Sequence, residues 1–120
     1  MPKYLLILRD DPADFAHMSP AEMQACIEKY IAWSKALGAK GHMVGGEKLD
    51  LPGTVLSRKK GDVIRQDGPF GETKEIVGGY YLIRADSLQH AAELCADHPQ
   101  LENGTVEIRP IDTFGAPDGD

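Results

Sequence analysis

The sequence predicts an α+β fold in which two strand–helix–strand units, separated by an inserted hairpin, share one antiparallel sheet. Three observations point to it. Short apolar runs of strand length open and close each half of the chain. A long segment with helical spacing follows a strong start signal in the first half, and a shorter one lies in the second. Between the halves, two strand-like runs flank a Lys-Gly-Asp turn. This order of elements describes a ferredoxin-like arrangement with both helices on one face of the sheet.

Tyr4-Leu5-Leu6-Ile7-Leu8 is a continuous apolar run, as expected of a central strand covered on both faces. The charged loop from Arg9 to Asp14 ends it. Ser19-Pro20-Ala21-Glu22 then starts a helix: Ser19 caps, Pro20 sits where a missing N–H costs nothing, and Glu22 completes a capping box. Met23, Ile27, Tyr30, Ile31, Ser34 and Leu37 follow at helical spacing, widened by Cys26 and Trp33, and Gly38 is the expected stop. His42-Met43-Val44 opens a second strand, with a bulge or close approach expected at Gly45-Gly46. Residues 54–58 and 63–65 form the hairpin, turning at Lys60-Gly61-Asp62.

Gly78-Gly79 precede the strand Tyr80-Tyr81-Leu82-Ile83, apolar on both faces. Asp86 and Ser87 cap a second helix whose buried stripe is Leu88, Ala91, Ala92 and Cys95, stopped by Pro99. Thr105-Val106-Glu107-Ile108-Arg109 alternates as a last strand, and Pro110 marks its end. Residues 1–111 are expected to form one domain and 112–120 a mobile tail. With the helices on one face, the other needs cover. The simplest supply is a second subunit packing sheet to sheet, giving a homodimer and a barrel-like sandwich.

A net charge of −6 disfavours a nucleic acid or an anionic membrane surface as partner, since the only dense basic run is Arg58-Lys59-Lys60 at the hairpin turn. No stretch approaches the roughly 20 apolar residues of a membrane span. The N-terminal run is too short and wrongly flanked for a signal peptide. A cytoplasmic protein is expected. Cys26 and Cys95 lie far apart without CxxC or His spacing, so buried thiols are expected rather than a disulfide. No pair among His17, His42, His90 and His98 has a zinc-ligand spacing, so no metal and no cofactor is predicted. His98, beside Asp97 at the end of the second helix, reads as a partner of the helix dipole.

The chemistry-bearing segment is Asp67-Gly68-Pro69-Phe70-Gly71-Glu72-Thr73-Lys74-Glu75. Asp-Gly-Pro-Phe alone means a turn. Glu72, Lys74 and Glu75 add two carboxylates and an ammonium just before Gly78-Gly79. On an exposed strand, Glu72 and Lys74 make a solvated pair of little consequence; in a cleft they hold a perturbed proton or grip an anion. Tyr30 and Trp33 read by default as core or dimer packing, and in a ligand cleft as an aromatic wall.

This segment, followed by Gly78-Gly79-Tyr80-Tyr81-Leu82-Ile83, resembles the DGPF signature of YCII-related proteins. The resemblance extends to the opening strand, the Ser-Pro-Ala-Glu helix start, Gly46-Glu47-Lys48-Leu49 and the closing Val106–Pro110 strand. It implies a ferredoxin-like, dimeric α/β barrel of largely unassigned function, with polar residues gathered in a cleft. Some members of that family are linked to extracytoplasmic-function sigma factors. Relatives credited with lyase-type chemistry use a His–Asp pair whose His lies in the first helix. Asp67 matches the Asp, but no histidine stands between Pro20 and Leu37, so that pair is not carried over.

Three readings follow. In the first, the chain is a small-molecule enzyme with acid–base chemistry of lyase or isomerase type. Asp67, Glu72 and Lys74 are its catalytic candidates, and Tyr30, Trp33, Glu47, Gly68, Pro69 and Glu75 its substrate-binding candidates. In the second, it is a non-catalytic small-ligand or regulatory module, associated with a sigma factor of that kind. In the third, the sheet face only assembles subunits and the Asp67 segment sets register.

Overall fold

The computed structural model of the chain describes residues 1–50, 52–68 and 76–116. Eight regular elements carry the fold: β1 (Lys3–Asp10), α1 (Pro20–Ala39), β2 (Met43–Lys48), β3 (Thr54–Lys59), β4 (Asp62–Asp67), β5 (Ile76–Arg84), α2 (Leu88–Cys95) and β6 (Thr105–Pro110). Short 3₁₀ turns at Pro12–Asp14 and Pro99–Glu102 complete the connections. β2, β5, β1 and β6 make one sheet in that order, every neighbouring pair antiparallel. This is the ferredoxin-like α+β topology. β3 and β4 form a separate two-stranded ribbon inserted between its halves.

The pleat of β1 sorts its side chains. Tyr4, Leu6 and Leu8 are buried, whereas Leu5, Ile7 and Arg9 alternate to the opposite face. Tyr4 and Leu6 meet Ile83 of β5, Ala85 just after it, Trp33 and Leu37 of α1, and Ala91 and Cys95 of α2 in a single core. Both helices therefore lie on one face, as expected. On the other face, register places Leu5 opposite Leu82 and Ile7 opposite Tyr80.

Several local expectations shift. The capping box at Ser19 and Glu22 is present, but α1 runs through Gly38 to Ala39, and the left-handed backbone comes at Gly41. In α2, Ser87 caps through its side chain to the His90 N–H, yet Leu88 is exposed and Leu94 packs on the core instead. Gly78-Gly79 lie inside β5 rather than before it, where the β1–β5 register slips. The hairpin turn is the two-residue Lys60-Gly61, both with positive φ, as a tight antiparallel ribbon requires.

The largest departure concerns α1. Its apolar stripe reads as core, but only Trp33 and Leu37 are buried. The C-terminal half of the helix seats on the sheet. Ahead of Trp33 the helix stands off, leaving Ile27 and Ile31 exposed to 38% and 47%. A core residue truncated to Ala leaves a void and loses about 2–5 kcal/mol, whereas a residue facing open space loses little. Leu6→Ala is therefore expected to lower the unfolding free energy by about 2–5 kcal/mol, and Ile31→Ala by less than about 1 kcal/mol. Urea denaturation of both variants checks this; equal losses would mean that α1 is packed along its whole length.

Candidate active site

The gap beneath α1 is a cavity of about 650 Å³. Met23, Cys26, Ile27, Tyr30, Ile31 and Ser34 line it from the helix, and Leu8, Gly46, Lys48, Gly79 and Tyr81 from the sheet. Pro12 and Phe15 come from the loop after β1, and Leu49, Asp50 and Ile76 from the two roots of the β3–β4 ribbon. Most of this surface is apolar. Its polar lining includes Ser34, Lys35, Glu47, Lys48 and Asp50, and a hydrogen-bonded group, Asp10, Tyr30 and Gln100, stands where β1 ends.

Gln100 organises that end. Its side chain is fully buried. Nε2 donates to the Arg9 carbonyl at 2.9 Å and to Asp10 Oδ2 at 3.3 Å, while Oε1 accepts from the Tyr30 hydroxyl at 2.5 Å. Its backbone N–H donates to His98 Nδ1 at 2.9 Å. One amide thus ties β1, α1 and the Pro99–Glu102 turn together with its own polar atoms satisfied. Gly104 makes room for it: a Cβ there would collide with the Arg9 carbonyl and lie 2.6 Å from Gln100 Nε2. At Gly78, likewise, a Cβ would press on the Asp10 carboxylate at 3.1 Å.

Burial raises the pKa of Asp10 above the usual carboxylate value, against the opposing influence of the Gln100 hydrogen bond and the Lys48 charge. Burial likewise pushes the Tyr30 and Tyr81 phenols upward, so both hold their protons at neutral pH. The Cys95 thiol, in the core, rises to about 11 by burial and the nearby Asp97, and is no nucleophile.

His98 was read from the sequence as a charged partner of a helix dipole, and the structure corrects this. It is buried among the rings of Trp33 at 4.3 Å, Tyr30 at 5.4 Å and Tyr81 at 5.5 Å. Its Nδ1 caps the Pro99–Glu102 turn as an acceptor, which makes the ring neutral with the proton on Nε2. Nε2 has no hydrogen-bond partner among the described residues. Burial lowers its pKa to about 4, only partly opposed by Asp97.

Of the residues singled out in the sequence, Tyr30 and Glu47 line the cavity. Trp33 does not: it packs in the core against Tyr81 and His98 and donates from Nε1 to Asp97 at 3.2 Å. Asp67 and Gly68 are at the end of the ribbon. The Asp67 carboxylate is fully exposed, accepts from Thr54 and Arg65 at 2.7 Å each, and is held below the usual carboxylate value by those two bonds. Pro69, Glu72, Lys74 and Glu75 lie outside the described residues. Asp10 and Gln100 carried no signal as sequence: one reads as a loop carboxylate after a strand, the other as a turn residue after Pro99.

The family model described as YCII-related domain matches residues 2–115. The chain belongs to this family. A YCII-related membership agrees with an uncharacterised protein (R00369) of Rhizobium meliloti (strain 1021), 33% identical over 92 residues, covering 75% of this chain and 70% of that one. Among solved structures, 5-chloro-2-hydroxyhydroquinone dehydrochlorinase (TftG) of Burkholderia phenoliruptrix AC1100, in complex with 2,5-dihydroxybenzoquinone, aligns with a TM-score of 0.45 and 15% identity over 92% of this chain and 93% of its own. Among the described residues, no helix is long and apolar enough to cross a membrane, and no three His, Cys, Asp or Glu side chains are placed to hold a metal ion.

The buried neutral His98 gives the fold a pH dependence. Its folded pKa lies below its unfolded value of 6.5, so the unfolded chain binds the proton first as pH falls. The associated stability is full above pH 6.5 and is lost between 6.5 and about 4, amounting to roughly 3 kcal/mol at 1.36 kcal/mol per unit. Asn can keep the cap but cannot titrate, so His98→Asn is expected to flatten the urea-midpoint profile across that window. An unchanged slope in the variant would assign the acid sensitivity elsewhere.

Proposed function

We propose that the cavity is a small-molecule active site in which Asp10 moves a proton, as an acid–base enzyme of lyase or isomerase type requires. One observation supports this above the others: a carboxyl group drawn into an apolar cavity, fixed by Gln100 and harder to ionise than usual. General acid–base catalysis favours a carboxyl whose pKa is moved toward neutrality, and burial moves Asp10 in that direction. Tyr30, protonated at neutral pH, supplies a neutral hydrogen-bonding group beside it, and Lys48 a cation within electrostatic reach of Asp10. The volume falls inside the roughly 300–1,000 Å³ typical of small-ligand sites. A compact apolar molecule bearing one anionic or enolisable oxygen suits this lining.

Asp67 is read in this proposal as closing the ribbon through Thr54 and Arg65. Glu72 and Lys74 stand shortly before Ile76, the register partner of Asp10, and are proposed as the second proton-handling pair. The working unit is proposed to be a homodimer that covers the free sheet face bearing Leu5, Ile7, Tyr80 and Leu82. Its proposed setting is the cytoplasm, which suits two unpaired cysteines.

Because the Asp10 carboxyl is harder to ionise in the fold than in the unfolded chain, the stability linked to it is full at acid pH. It is lost as pH rises through the folded pKa. An amide at this position therefore costs the fold nothing at pH 7. Asp10→Asn is expected to keep or raise the melting temperature while reducing turnover by about 10² or more, whereas Asp67→Asn leaves turnover unchanged. A thermal-shift screen of small carboxylates and enols supplies the ligand, and turnover of each hit is then measured with the three proteins. Full turnover by Asp10→Asn removes Asp10 from the chemistry; a stabilising ligand that is never converted favours a binding module.

A further inference from the structure

The β3–β4 ribbon has no place in the interior of its own chain. Every residue of both strands is exposed, and neither strand makes substantial contact with any element but the other. Register puts Val55 and Ile64 on one face of the ribbon and Leu56 and Val63 on the other. These four side chains are between 42% and 64% exposed. A lone hairpin with apolar residues on both faces is marginal in water, and the chain as a whole is correspondingly open. Its radius of gyration is 16.7 Å, against about 14 Å for a compact domain of this length.

We propose that this ribbon is a clasping arm that seats, reciprocally, on the body of a second copy of the chain. Charge selects that partner. Residues 54–67 hold four cations, Arg58, Lys59, Lys60 and Arg65, against two carboxylates, which makes the arm +2 and the rest of the chain −8. A basic arm with apolar faces fits an acidic body, and the same chain carries both. A two-fold pair uses each surface once per subunit and closes without leaving a free arm. Opposite net charges also favour encounter at low salt. Both roots of the arm line the cavity, at Lys48, Leu49 and Asp50 on one side and Ile76 on the other. Seating the arm on the partner thereby fixes one wall of the site.

The inference rests on the homodimer proposed above, and sedimentation velocity at micromolar protein separates the two. The wild-type chain is expected to be a dimer that weakens as salt is raised. Leu56→Glu with Ile64→Glu, one change per face of the arm, is expected to raise the dimer Kd at least tenfold with an unchanged circular dichroism spectrum. Arg58→Glu with Lys60→Glu is expected to do the same, and decides alone if the first variant does not fold. A wild-type monomer overturns both the dimer and the arm. A wild-type dimer that Leu82→Lys dissociates, but that the arm variants weaken less than tenfold, overturns the arm alone.

Discussion

The buried Gln100 amide is the constraint on which this molecule turns. A side-chain amide removed from water must have its donors and acceptor met, and the alternatives cost about 1–3 kcal/mol for each group left unpaired. Here the partners are the Arg9 carbonyl, the Asp10 carboxylate and the Tyr30 hydroxyl, drawn from positions about 70 and 90 residues away in the chain. Meeting them fixes the end of β1 against α1. It also brings a carboxyl and a phenol together at one end of a mostly apolar cavity.

The cavity and the network depend on each other. α1 buries Trp33 and Leu37, and the Tyr30–Gln100 bond ties the helix to the Pro99–Glu102 turn at the edge of the cavity. Beneath the network, His98 fills the space between three aromatic rings, and burial holds it neutral. The polar end of the site is therefore backed by a buried aromatic layer.

Much of the scaffold was legible in the sequence. Capping chemistry at Ser19–Glu22 and Ser87, the apolar run of β1, the alternation of β6 and the Lys60-Gly61 turn are local signals, and each element formed where its signal stood. Helical periodicity announced that one face of α1 is apolar. It could not announce whether that face meets side chains or empty space, which is why Ile27 and Ile31 read as core and line a cavity. Asp10 and Gln100 were illegible for a related reason: each looks like an ordinary boundary residue, and their meaning arises from a contact across most of the chain. Asp67 drew attention because it belongs to a recognisable motif, yet its described partners, Thr54 and Arg65, are close neighbours in the ribbon.

In the proposed site the Asp10 carboxyl lines the cavity and is harder to ionise than usual. Titration of its side-chain carboxyl carbon by ¹³C NMR, assigned through Asp10→Asn, tests this without any substrate. A midpoint above the ordinary 3.8 is predicted, because burial outweighs both the Gln100 hydrogen bond and Lys48. A midpoint at or below 3.8 would mean that Asp10 is a solvated strand-end carboxylate, and the site would have to be sought elsewhere.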